Sequence, residues 1–160
     1  MTLAGVVATV LGAGHLRPAP GTWGTLAALP LAWLAMQGGA LFFTVATAFM
    51  LPLGLWATRK VTEGREEHDP SEIVIDELLG VWIALIPLAW GAQNAGVPVE
   101  RLWPGWIAAF LLFRLFDIWK PGPVGWADRR PDEWGVMLDD AVAGAMAAIG
   151  VIVLAALAHA

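Results

Sequence analysis

Between Arg17 and Arg59 the chain carries no charged side chain. A soluble fold has no use for so long an uncharged run. At ~20 residues per crossing it is too long for one membrane span and suits a hairpin of two segments. The composition agrees, with 58% hydrophobic and 14% charged residues among 160, far from the balance of a soluble domain. The expected fold is therefore all-α: an integral membrane helical bundle with about four membrane-embedded segments plus a short N-terminal helix. The length suits a single membrane-embedded helical domain over residues 1–160. Met1 to Gly14 has no basic leader and His15-Leu16-Arg17 resembles no cleavage site, so the chain is expected to be embedded rather than exported. The absence of cysteine excludes disulfides, thiolate metal sites and a cysteine nucleophile. A net charge of −5 gives no basic nucleic-acid footprint.

Apolar stretches run over residues 3–13, 25–36, 40–58, 78–93, 102–119 and 141–158. Residues 3–13 predict an interfacial or buried helix, and 25–36 is too short to cross a bilayer squarely. Pro87 predicts a kink in the 78–93 segment. Trp56, Trp103, Trp119 and Trp126 flank apolar runs as interfacial anchors do, whereas Trp33 and Trp82 suit packing. Two out-and-back hairpins place Arg17, Arg59, Lys60, Arg65, Arg114, Lys120, Arg129 and Arg130 on one side, with Arg101 alone opposite. Excess Lys and Arg mark the cytoplasmic face, and the C-terminus then lies across the membrane.

Every Asp and Glu except Glu100 falls on the same side, within 63–77 and 117–140. Asp69-Pro70-Ser71-Glu72 reads as a helix start with Asp69 as N-cap. Asp76 and Glu77 then enter the apolar segment about two turns on, Glu72 and Asp76 sharing a face. Carboxylates at a membrane boundary are costly without a partner, which favours function for Asp76 and Glu77 over a solvated face. Asp117, between Arg114 and Lys120, is either a salt-bridged helix end or a ligand beside phosphate-binding bases. Asp139 and Asp140 open the last span before Ala141, Ala143, Gly144, Ala145, Ala147 and Ala148. They either favour the helix dipole or turn into the bundle across this small-residue face. Asp128, beside Arg129 and Arg130, reads on its own as a solvated loop charge. The turn Pro18-Ala19-Pro20-Gly21-Thr22-Trp23-Gly24-Thr25 enters a helix whose N-terminus, with Thr22 and Thr25, can meet phosphate. His15 is polar lining near this turn, while His68 and His159 read as solvated. Carboxylates without clustered His or Cys suit Mg²⁺, which keeps waters for a phosphate substrate.

Three stretches in order carry a resemblance: Pro20-Gly21-Thr22-Trp23-Gly24-Thr25 through Pro30; Asp69-Pro70-Ser71-Glu72-Ile73-Val74-Ile75-Asp76-Glu77-Leu78-Leu79-Gly80; and Phe113-Arg114-Leu115-Phe116-Asp117 through Lys120-Pro121 and Asp128-Arg129-Arg130 to Asp139-Asp140-Ala141-Val142-Ala143-Gly144. Together, over about residues 12 to 150, they resemble the phosphatidylglycerophosphatase A family of bacterial membrane lipid phosphatases. The resemblance implies Mg²⁺-dependent hydrolysis of the terminal phosphomonoester of phosphatidylglycerophosphate, on an all-helical fold in the inner membrane with the site facing the cytoplasm. Asp76, Glu77, Asp117, Asp128, Asp139 and Asp140 match the family's acidic positions and are the expected metal ligands. All but Asp128 are also the expected catalytic residues. Thr22, Thr25, Arg114, Lys120, Arg129 and Arg130 are the expected phosphate contacts. One departure stands out: Pro131-Asp132-Glu133-Trp134-Gly135 occupies the place of a His-Gly-Gly-like stretch. Two rivals are weaker. A metal-dependent phosphatidyl transferase should carry Asp-Gly-x-x-Ala-Arg, which is absent. A small ion transporter needs polar groups near the midplane, where Thr44, Thr47 and Gln93 are the main candidates.

Overall fold

The structure is a computed structural model that describes residues 2–67 and 70–159. Asp69, expected as a cap, and His68 lie outside the described residues. Helices α1 (Leu3–Ala8), α2 (Pro20–Met36), α3 (Ala40–Thr62), α4 (Ile75–Ala95), α5 (Trp103–Trp119), α6 (Pro123–Asp128) and α7 (Glu133–Ala158) follow one another, with no strand among the described residues. Four are long and apolar enough to cross a membrane: α3, α4, the segment Val99–Trp119 that contains α5, and α7. In lipid every backbone polar group must be satisfied within the protein, which is why the apolar runs fold as helices.

α4 is the axis of the bundle. It touches α2, α3, α5 and α7 and is buried over most of its length, while α3, α5 and α7 turn most of their side chains outward. Cross-contacts fix the directions. Gly21 of α2 lies against Glu77, and Trp82 Nε1 donates to the Ala28 carbonyl at 3.0 Å. At the same end as Gln93, the Ala40 N–H opening α3 donates to the Gln93 amide oxygen at 2.9 Å, and Trp90 Nε1 donates to Thr44 at 3.1 Å. Thus α2 runs with α4 and α3 returns against it.

The α4–α7 seam is the tightest. A Cβ on Gly144 would collide with the Gly80 backbone, and one on Gly80 would meet the Asp140 carbonyl oxygen at 2.7 Å and the Phe113 ring. Only glycine permits this approach, and the flanking Ala143 and Ala147 are fully buried. Small residues serve membrane helices in this way because lipid supplies no hydrophobic drive for association. The pair Gly80/Gly144 sets α4 and α7 parallel and in register. One helical turn back along each lie Asp76 and Asp140.

Several boundaries differ from the sequence expectation. α4 begins at Ile75, not after Asp69, because residues 71–74 are held against the N-terminal segment: the Val74 N–H donates to the Ala8 carbonyl at 2.8 Å. Glu72 therefore precedes the helix and shares no face with Asp76; it pairs with Arg65 at 2.9 Å. α7 begins two turns earlier than expected, at Glu133, where the Asp132 side chain accepts from the Gly135 N–H at 3.0 Å. α2 starts at Pro20 rather than Thr25.

Candidate active site

Two parallel helix starts, a helix end and a loop converge at one end of the bundle. Asp76 and Glu77 occupy the first turn of α4, where the N-terminal dipole favours negative charge. Asp139 and Asp140 sit in the second turn of α7, so the sequence reading of them as terminal dipole partners does not hold. They turn into the bundle and are buried, with 6% and 3% of their surface exposed. Arg114 and Asp117 come from the last turns of α5 and pair with each other. Asp117 also reaches Asp140, and Asp76 reaches Glu77. Lys120 caps α5 in the left-handed conformation (φ 50°, ψ 53°) ahead of Pro121, and its backbone N–H closes on Phe116.

Those groups surround a cavity of about 290 Å³, with Ala19 just before α2, Pro20 and Gly21 of α2, and Ser71 and Ile73 of the pre-α4 loop completing the wall. Asp76, Glu77 and Asp140 each offer a carboxylate oxygen, and those oxygens lie within 4.8 Å of one another. Glu77 Oε2 and Arg114 Nε are buried without a hydrogen-bond partner among the described residues. Among the described residues, five carboxyl groups face only two basic groups in this cavity. An all-oxygen set with an unused acceptor and excess negative charge fits a hard divalent cation rather than a soft one.

The bases are held in place. Lys120 Nζ contacts Asp139 at 2.9 Å and pairs with Asp128. Burial alone would lower the Lys120 pKa, but the hydrogen bonds to Asp128 and Asp139 outweigh it and drive the value upward, so the ammonium stays charged. Gly21 is part of the same fit: a Cβ there would strike the Glu77 carboxylate and lie 3.3 Å from Arg114.

Other expected residues fall elsewhere. Asp128 sits at the rim on Lys120, outside the trio of close carboxylates. Thr25 is fully buried and donates to the Gly21 carbonyl at 2.8 Å, which spends its hydroxyl inside α2. Thr22 is half-buried and does not line the cavity. Arg129 and Arg130 are exposed and off the cavity, Arg130 pairing with Asp132 at 3.2 Å. His15 and His159 are exposed. Sequence reasoning did not find Ser71, Ile73 or Gly21 as wall residues. Gly14 was the available signal that the N-terminal segment packs closely on something.

Four helices long and apolar enough to cross a membrane, around an acid-rich and base-flanked cavity, define an all-helical protein of membrane type whose carboxylate cluster could hold a metal ion. The family model for phosphatidylglycerophosphatase A matches residues 6–155, and the chain belongs to that family. It is 36% identical over 151 residues to the phosphatidylglycerophosphatase A of Haemophilus influenzae, covering 93% of this chain and 86% of that protein. To the protein of the same name from Escherichia coli it is 32% identical over 145 residues, covering 89% and 78%. A Bacteroides thetaiotaomicron protein, named provisionally as a phosphatidylinositol-3-phosphatase, is 38% identical over 146 residues, covering 87% and 85%. No solved structure matches the chain at a significant level.

Proposed function

We propose that the chain hydrolyses the terminal phosphomonoester of phosphatidylglycerophosphate, giving phosphatidylglycerol and inorganic phosphate, with Mg²⁺ as the metal. The observation that carries this reading is the meeting of Asp76, Glu77 and Asp140 with Arg114 and Lys120 in one cavity at the end of membrane-length helices. The names of two relatives support the substrate. Asp76, Glu77 and Asp140 would hold the ion. When bound, it supplies charge neutralisation at the phosphoryl oxygens and lowers the pKa of water. Arg114 and Lys120 orient the phosphate and offset its charge. A water oxygen bonds to phosphorus as the ester P–O bond breaks, and the departing glycerol oxygen takes up the proton that the attacking water gives up. A carboxylate of the cluster accepts the proton of the attacking water. The acyl chains stay in lipid. The basic residues clustered at this end support a site on the cytoplasmic face of the inner membrane.

The test is phosphate release by purified, folded protein from phosphatidylglycerophosphate, with Mg²⁺ and after chelation. Release that requires Mg²⁺ supports the assignment; none by a folded sample sinks it. A parallel assay with phosphatidylinositol 3-phosphate separates the two headgroups named among the relatives.

A further inference from the structure

The N-terminal segment, which the proposed chemistry leaves unused, is fastened along the loop that leads into α4. Three contacts run in antiparallel order. The Ala8 carbonyl accepts from Val74, Gly14 lies so close to the Glu72 carbonyl that a Cβ would collide with it, and Arg17 Nη1 donates to Ser71 Oγ at 3.2 Å. Val10 and Leu11 hold left-handed backbone angles (φ 47° and 59°) to make the turn. Such angles are costly for branched side chains and persist only where the surroundings enforce them. The N-terminal segment thereby places Arg17 beside Ser71, which is itself a cavity wall.

Arg59, Lys60, Arg65, Arg114, Lys120 and Arg130 each pair with a carboxylate, whereas Arg17, like Arg101 and Arg129, makes no ion pair among the described residues, and of these three Arg17 alone hydrogen-bonds a residue of the cavity wall. Its neighbours in sequence and on the adjoining turn, Leu11, Leu16 and Trp23, are exposed apolar side chains. An exposed arginine among outward-facing Leu and Trp beside a polar cavity matches the headgroup plane of a bilayer.

We infer that Arg17 binds the phosphodiester of the lipid substrate, the phosphate that is not cleaved, while Arg114 and Lys120 hold the phosphomonoester within the cavity. The inference rests on the phosphatase reading above. It makes Arg17 a specificity residue for lipids that carry a phosphomonoester on a polyol joined through a phosphodiester to diacylglycerol. A guanidinium with a fork of donors, only one of them used on Ser71, suits a phosphate with two free oxygens. Because the diester does not change in the reaction, this contact contributes equally to ground state and transition state and should appear in KM rather than kcat.

The experiment measures initial rates of Arg17→Gln on phosphatidylglycerophosphate in detergent mixed micelles, with inhibition by inorganic phosphate measured alongside. The expected result is a rise in KM of about ten-fold, as for one lost charged hydrogen bond, with kcat within about two-fold and the inhibition constant for phosphate unchanged. Arg17→Lys should recover part of the KM. Arg101→Gln, at the opposite end of the bundle, should change neither constant. An unchanged KM, a parallel rise in the phosphate inhibition constant, or an equal effect of Arg101→Gln would overturn the inference. A loss of kcat without a change in KM would do so as well. Absence of turnover by the wild-type protein would instead overturn the phosphatase reading, and this inference with it.

Discussion

At the scale of single residues, the carboxylates of the cavity divide by what they touch. Asp76 and Asp140 belong to the close oxygen trio, whereas Asp128 reaches the site only through Lys120. Asp76→Asn and Asp140→Asn should each lose more activity than the about 10–100-fold typical of outer-shell changes, with helix content retained. Asp128→Asn should stay within that range, because Lys120 keeps its contact with Asp139. Steady-state rates across a Mg²⁺ titration, with circular dichroism as the control, rank the three; equal losses would place Asp128 among the ligands after all. Glu72 makes a different prediction. The Arg65 hydrogen bond holds its carboxyl below the ordinary value of 4.5. A depressed folded pKa gives stability that is present above 4.5 and is lost as pH falls through the folded value. Arg65 is half exposed, so the pair is worth only about 0.2–1 kcal/mol. Thermal midpoints of wild type and Glu72→Gln should differ slightly at pH 7 and converge as pH drops below 4.5. A difference that persists in acid would mean that the bridge does not contribute.

At the scale of elements, the site depends on where helices cross. Gly80 and Gly144 meet one turn below Asp76 and Asp140, so a wedge at the glycines spreads the carboxylates. Gly144→Ala places a Cβ 2.9 Å from the Gly80 Cα, and backbone cannot move aside as a side chain would. Overpacking of this kind costs about 1–3 kcal/mol. The expected signature is a lowered thermal midpoint together with a weaker apparent Mg²⁺ affinity. A stability loss with unchanged metal dependence would detach the seam from the site. The sequence displayed part of this seam: the small-residue run from Ala141 onward predicted a close-packed face, and Asp139 and Asp140 were read as one of two alternatives that turn inward. The true start of α7 was harder to see, because Pro131-Asp132-Glu133 looked like loop. Yet Asp132 capping Glu133-Trp134-Gly135-Val136-Met137-Leu138 was a readable signal. The start of α4 was not readable from local sequence. Asp69-Pro70 carries the composition of a cap, but the contact of Val74 with Ala8, some 66 residues away in the chain, decides where the helix begins. Thr25 shows the same limit: a threonine near a helix N-terminus resembles a phosphate contact until its hydroxyl is found on Gly21.

At the scale of the whole molecule, charge segregation and helix direction describe one arrangement. α4 and α7 both start at the acidic end and run away from it, and α3 and α5 return to it, so the cavity, Arg17 and the loop before α7 share one membrane face. Arg101 belongs to the opposite end, with the Trp33–Glu100 pair and the Ala40–Gln93 contact. Because the chain has no cysteine, single introduced thiols report this orientation without a background to remove. Arg129 and Arg101 are both exposed and neither lines the acidic cavity, which makes them suitable positions. If the acidic end is cytoplasmic, Arg129→Cys should react with a membrane-impermeant maleimide in inverted inner-membrane vesicles and not in intact cells or right-side-out vesicles. Arg101→Cys and His159→Cys should show the reverse. Labelling of the 129 and 101 thiols from the same side would contradict the helix directions themselves. A clean exchange of the two patterns would leave the bundle intact and put its site on the outer face, where the count of basic residues does not predict it.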